Sequence, residues 1–205
     1  MDNRPNRLAV PFHRERELNL AASVVTIGAF DGVHRGHQEL IRQTVTTARR
    51  LGLPAVVYTF DPPPKVFFGQ AEALIPLKKK LERISAFWPD HLIVARFDDD
   101  YAGRTAGDFI AELGTLNPRR IFVGGDFRFG SCKTGNVALL RKQFETRNLP
   151  PVRCSDGVVV SSSRIRRLRR SGFAAAAAAP EGWKDKFVAS SADTPGLVAF
   201  RSARP

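Results

Sequence analysis

Thr26-Ile-Gly-Ala-Phe-Asp-Gly-Val-His-Arg-Gly-His37 places two histidines three residues apart inside a glycine-rich turn. Upstream, Val24, Val25 and Ile27 are the side chains of a buried strand, and Gly28 allows a tight exit. Downstream, Leu40, Ile41, Val45, Ala48 and Leu51 recur at helical spacing, and Gly52 with Pro54 supplies the stop. Strand, loop, helix is an order that aims the first N–H groups of the helix, and its positive dipole end, at whatever the loop binds. That favours phosphate. His34 and His37 add two N–H donors, and Gly32 and Gly36, lacking Cβ, let backbone approach an anion closely. No lysine follows Gly36 and no G-x-G-x-x-G is present, so this is neither the lysine-containing phosphate loop nor the dinucleotide fingerprint.

Working outward, Ala55 to Phe60 reads as a second buried strand, which Asp61-Pro-Pro-Pro-Lys65 cannot continue because proline lacks the ladder donor. The result is a rigid loop at the carboxyl end of a parallel strand, where open α/β sheets bind ligands. Leu77 to Trp88 is expected to be helical, with Leu77, Leu81, Ile84, Phe87 and Trp88 on its apolar side and Lys78, Lys79 and Lys80 on a solvated face. His91 to Ala95 is a third strand, and Asp98, Asp99 and Asp100 after it read as a solvated turn in preference to a magnesium site. Thr105 is the expected N-cap of a helix through Leu113. Arg120 to Val123 is a fourth strand and runs into Gly124-Gly-Asp-Phe-Arg-Phe-Gly130, a binding loop with a stacking surface. One of Phe127 and Phe129 is expected in the core.

Farther on, Asn136 to Asn148 has the spacing of a helix through Leu139, Leu140 and Phe144, and Val158 to Val160 that of a last short strand. Ser161, Ser162 and Ser163 precede a helical segment that one of them should cap, giving a second helix N-terminus rich in donors. Arg164 falls in its first turn, where a cation opposes the dipole unless an anion lies between. Residues 1–20 are expected to be a surface segment with His13 solvated, residues 21–172 the main domain, and residues 173–205 an alanine-rich linker and loosely ordered tail.

The 205 residues, 43% hydrophobic and 25% charged, suit a globular chain with one substantial core. No apolar run approaches the ~20 residues of a membrane helix, and no signal peptide is evident, so a cytoplasmic location is expected. Cys132 and Cys154 are expected to be free thiols. The net charge of +12 suits nucleic acid or a polyanionic small substrate. Much of it is concentrated between Arg141 and Arg170, in Arg141, Lys142, Arg147, Arg153, Arg164, Arg166, Arg167, Arg169 and Arg170.

VVTIGAFDGVHRGHQ at 24–38, YTFDPPP at 58–64, GGDFRFG at 124–130 and SSSRIR at 161–166, with KKKLERI at 78–84, together resemble one family. It is the FMN adenylyltransferase module of bacterial bifunctional riboflavin kinase/FAD synthetases, among the HxGH nucleotidyltransferases. The resemblance covers about residues 20 to 172. It implies an α/β fold, a Rossmann-like parallel sheet with helices on both faces, and conversion of ATP and FMN to FAD and pyrophosphate with magnesium. By that likeness His34, His37, Ser162 and Arg164 act on the phosphates. Gly28, Phe30, Asp31, Gly36 and Ser163 bind ATP, and Phe60, Asp126, Phe127 and Phe129 bind FMN. No metal-ligating residue is assigned.

Three departures stand out: Pro63 where the family has a histidine, Ser163 where it has threonine, and no room in the tail for a riboflavin kinase barrel, so that no riboflavin kinase activity is expected. Two rival readings are a paralogous nucleotidyltransferase with another phosphorylated acceptor, and a non-catalytic basic protein that binds nucleotide or RNA. The nucleic-acid reading leaves the paired histidines and the serine-arginine segment without a purpose.

Overall fold

The computed structural model describes residues 10–172 and 174–182. Its strands are β1 (Phe12–His13), β2 (Ser23–Ile27), β3 (Ala55–Asp61), β4 (His91–Arg96), β5 (Pro118–Gly124), β6 (Arg128–Phe129), β7 (Gly135–Asn136) and β8 (Thr146–Leu149). The helices are α1 (Arg35–Leu51), α2 (Pro64–Phe67), α3 (Leu77–Ser85), α4 (Asp99–Gly103), α5 (Ala106–Gly114), α6 (Val137–Arg141), α7 (Ser162–Arg170) and α8 (Ala174–Glu181).

Every residue of β2 is buried, and the strand lies inside a six-stranded sheet of order β1-β4-β3-β2-β5-β8 in which every neighbouring pair is parallel. Alternate strand residues point to opposite faces. Val25, Ile27, Val56, Tyr58, Ile93, Ile121 and Val123 pack on one side with Phe109, Leu113 and Leu140. Val24, Val57, Leu92, Val94 and Phe122 pack on the other with Ile41, Val45, Leu81 and Ile84. Helices therefore cover both faces, as expected for the α/β class. From β2 the chain steps outward through β3 to β4, then crosses back to β5 on the other side of β2. A crevice opens at such a switch point, outside the carboxyl ends of the strands.

Several local expectations change. The first twenty residues are more than a surface run: β1 pairs with β4, and His13 Nε2 meets His91 Nδ1 at 3.1 Å. The rest of that segment, residues 1–9, lies outside the described residues. The helix expected from Asn136 to Asn148 stops at Arg141, because Thr146–Leu149 leaves to pair with β5 as an edge strand. Val158 to Val160 forms only a bridge, Val159 to Arg153. Asp98 caps α4 by accepting from Tyr101 N at 2.9 Å, which accounts for the aspartate run. Thr105 caps α5 in a reciprocal box with Asp108, as its position suggested. The alanine run is a helix, α8, whose Ala177 packs with Leu74 and Ile165. Expectations for residues 183–205 fall outside the described residues. Cys132 and Cys154 are free thiols.

Candidate active site

The crevice at the switch point is a cavity of about 760 Å³. Gly28 and Ala29 after β2 and Gly125 and Asp126 after β5 contribute to its wall, together with the starts of α1 and α7. The expected residues Gly28, Asp31, His34, Gly36, His37, Phe60, Asp126, Phe127, Ser162 and Ser163 all line it. Phe30, Phe129 and Arg164 do not.

At one end, His34 is the N-cap of α1. Its Nδ1 accepts the His37 backbone N–H at 3.4 Å, which leaves Nε2 as the nitrogen that carries the proton. The two imidazoles stack at 3.6 Å between centroids, and Phe30 closes on His37 edge-first at 5.3 Å. Burial pushes His34 down to about 4, and burial, then the facing His34 and Lys80, holds His37 well below the ordinary histidine range. Both are neutral at pH 7 and each offers one N–H. His37 Nδ1 is buried without a hydrogen-bond partner. Phe30 is itself fully buried, in a left-handed backbone conformation, and packs against His37 without lining the cavity.

Beside the histidine loop, the Ser161 side chain accepts from Arg164 N at 3.2 Å and caps α7, so a second helix N-terminus opens on the same space. Ser162 Oγ donates to the Asp31 carbonyl at 3.0 Å. Arg164 turns away, pairing with Asp156 at 2.5 Å and the Val158 carbonyl at 3.1 Å. Arg166 reaches the cavity instead, because it stands four residues from Ser162 and so on the same helix face, whereas Arg164 is two away. Its guanidinium pairs with Asp31, both side chains buried, and its Nε donates to the Glu72 carbonyl at 2.8 Å. The other Asp31 oxygen accepts from Leu74 N at 2.9 Å. Asp31, expected as an ATP ligand, spends its carboxylate on bracing the loop against α7.

The lining also includes aromatic and basic side chains, Phe60, Phe127 and the half-exposed Phe68 with Lys65, Arg128 and Lys133. Phe127 and Phe129 stack at 5.7 Å, but only Phe127 faces the cavity. Phe129 is the core member of the pair: it packs on Phe109 at 5.2 Å, and its ring would lie 2.4 Å from a Cβ placed on Gly135. Pro63 and Pro64 line the wall where the rigid loop was expected. Lys80, expected in solvent, is buried at 2% exposure, its Nζ donating to the Phe60 carbonyl at 2.6 Å.

Comparison with known proteins now decides the family, since residues 17–164 match the family model described as FAD synthetase. The chain belongs to the FAD synthetase family. A bifunctional riboflavin kinase/FMN adenylyltransferase of Escherichia coli strain K12 is 36% identical over 154 residues, 70% of this chain and 49% of that protein. A protein of Geobacillus thermodenitrificans, provisionally named for the same two activities, is 50% identical over 155 residues, 76% of this chain and 87% of that one. The chain thus spans about half the length of the E. coli FAD synthetase relative. Among solved structures, one described as a macrolide-efflux protein from Streptococcus pneumoniae superposes with a TM-score of 0.72 at 28% identity, covering 83% of this chain and 60% of that one. Among the described residues, no helix is long and apolar enough to cross a membrane.

Proposed function

We propose that this FAD synthetase homologue transfers AMP from ATP to FMN, releasing FAD and pyrophosphate. The observation that carries the reading is the convergence of two helix N-termini and two neutral histidines on one cavity whose wall also holds Phe60, Phe127 and Phe68. A phosphate oxygen of FMN attacks the α-phosphorus of ATP while the bond to the β-phosphate oxygen breaks, so the electron pair leaves with pyrophosphate. No covalent enzyme intermediate is needed. The protein's part is alignment of the two substrates and stabilisation of charge on the transferring and leaving groups.

Gly36 and the α1 N-terminus, with the imidazole N–H groups of His34 and His37, hold the α- and β-phosphates. Ser162, Ser163 and the α7 N-terminus take the leaving phosphates, with Arg166 behind them. Phe127 offers a face to the isoalloxazine, with Phe60 in the wall beside it, and Asp126 is close enough to His34 to act on its charge. The residues present do not fit a resident magnesium site. Among the described residues no three His, Cys, Asp or Glu side chains cluster as metal ligands, and Asp31 is already committed. Magnesium is therefore assigned to the ATP triphosphate, as that ion commonly binds.

The test is a pair of variants. His37→Ala is expected to lower turnover by about 10²-fold while FMN affinity, read by flavin fluorescence, changes by less than about threefold. Phe127→Ala is expected to weaken FMN binding first. Equal losses of turnover and FMN affinity in both variants would contradict the division of the cavity.

A further inference from the structure

Helix α3 holds both halves of the cavity from behind. Lys80 Nζ donates to the carbonyl of Phe60, a residue of the cavity wall. One turn on, Arg83 Nη1 donates at 2.8 Å to the carbonyl of Gly32, in the 3-10 turn that leads into His34 and α1. A single rigid helix thus fixes the end of β3 and the histidine loop relative to each other.

Leu77, Lys80, Leu81 and Ile84 form the inward stripe of α3, and an apolar side chain at position 80 would fill that stripe without the cost of burying an ammonium. The charge is put to use behind the histidines. His34 and His37 are neutral, Arg166 is neutralised by Asp31, and Arg164 is engaged by Asp156.

We propose that Lys80 is a positioning residue for adenylyl transfer: its buried ammonium fixes the aromatic wall against the histidine loop and supplies positive potential behind the phosphate end of the cavity. This rests on the function proposed above. The groups that face Lys80 are Asp61 at the end of β3 and Asp31 on the 3-10 turn, which favour its charge, and His37 on α1, which is neutral; Arg83 stands on its own helix. Burial outweighs the two aspartates and brings Lys80 down to about 8. It is charged at pH 7 and loses its proton as the pH rises through that value.

The experiment compares the native chain with Lys80→Met and Lys80→Arg, following FAD formation from pH 6.5 to 9.5, the melting temperature, and the rise in melting temperature on adding ATP. Lys80→Met is expected to lose about 10- to 100-fold in kcat/KM for ATP and to lack the alkaline fall that the native chain shows above about pH 8. Lys80→Arg is expected to recover part of the rate and to move that fall upward. A Lys80→Met variant with native kcat/KM and a native pH profile overturns the proposal, as do rates that follow melting temperature alone. Should Lys80→Met not fold, an alkaline fall that stays in place in Lys80→Arg overturns it. If the native chain makes no FAD, the function reading fails, and the ATP-induced melting shift decides for Lys80: lost in Met and kept in Arg upholds it, equal in all three sinks it.

Discussion

Asp31→Asn should unfold the protein far more readily than the loss of one loop charge suggests. The side chains of Asp31 and Arg166 are 5% and 9% exposed, so the substitution leaves a buried guanidinium without its counter-charge. Breaking a buried pair from one side costs about 3–5 kcal/mol. Arg166 keeps its bond to the Glu72 carbonyl, and the asparagine still accepts from Leu74 N, so the lower end applies. At roughly 2–4 °C per kcal/mol for a chain of this size, about 3 kcal/mol lowers the melting temperature by about 6–12 °C. Circular dichroism melts of Asp31→Asn, Arg166→Met and the double variant form a cycle. The double variant should be more stable than the sum of the single losses allows, with a coupling of about 1–3 kcal/mol, because it removes both charges together. An Asp31→Asn variant melting within about 2 °C of the native chain, or strictly additive losses, would refute the bracing role.

Acid should destabilise the fold through His34. Its folded value of about 4 lies below the unfolded value near 6.5, so the unfolded chain binds the proton first; stability is intact above pH 6.5 and falls as the pH drops toward 4, by about 3 kcal/mol. His34→Asn keeps an N-cap acceptor and should flatten denaturant-measured stability across that interval; an unchanged slope would contradict the burial of a neutral imidazole. The two phenylalanines of the GGDFRFG loop should separate cleanly. Phe129→Ala is expected to cost about 3–5 kcal/mol of stability, and Phe127→Ala about 1 kcal/mol or less with a raised KM for FMN; the reverse assignment in melts and kinetics would count against the cavity as described.

Strand β2, the histidine loop and α1 were legible because β-branched residues, glycine and helical spacing all point the same way there. Polar edge elements were not. Thr146–Leu149 carries no apolar alternation, and its pairing with β5 is a long-range fact no local pattern holds. Lys80 was legible by position, since Leu77, Lys80, Leu81 and Ile84 stand at i, i+3, i+4 and i+7, but residue type placed it with its solvated neighbours. Arg166 likewise shares a helix face with Ser162, four residues away, while the dipole argument pointed to Arg164. Phe30 and Asp31 sit inside the loop string yet act on protein groups, a division that only packing decides.

The central claim is tested most directly by incubating the protein with ATP, magnesium and FMN, and in parallel with riboflavin, and separating the products by chromatography. FAD and pyrophosphate in equal amounts from FMN is the predicted result, the riboflavin tube serving as the comparison for acceptor choice. ATP binding without any FAD from FMN would contradict it.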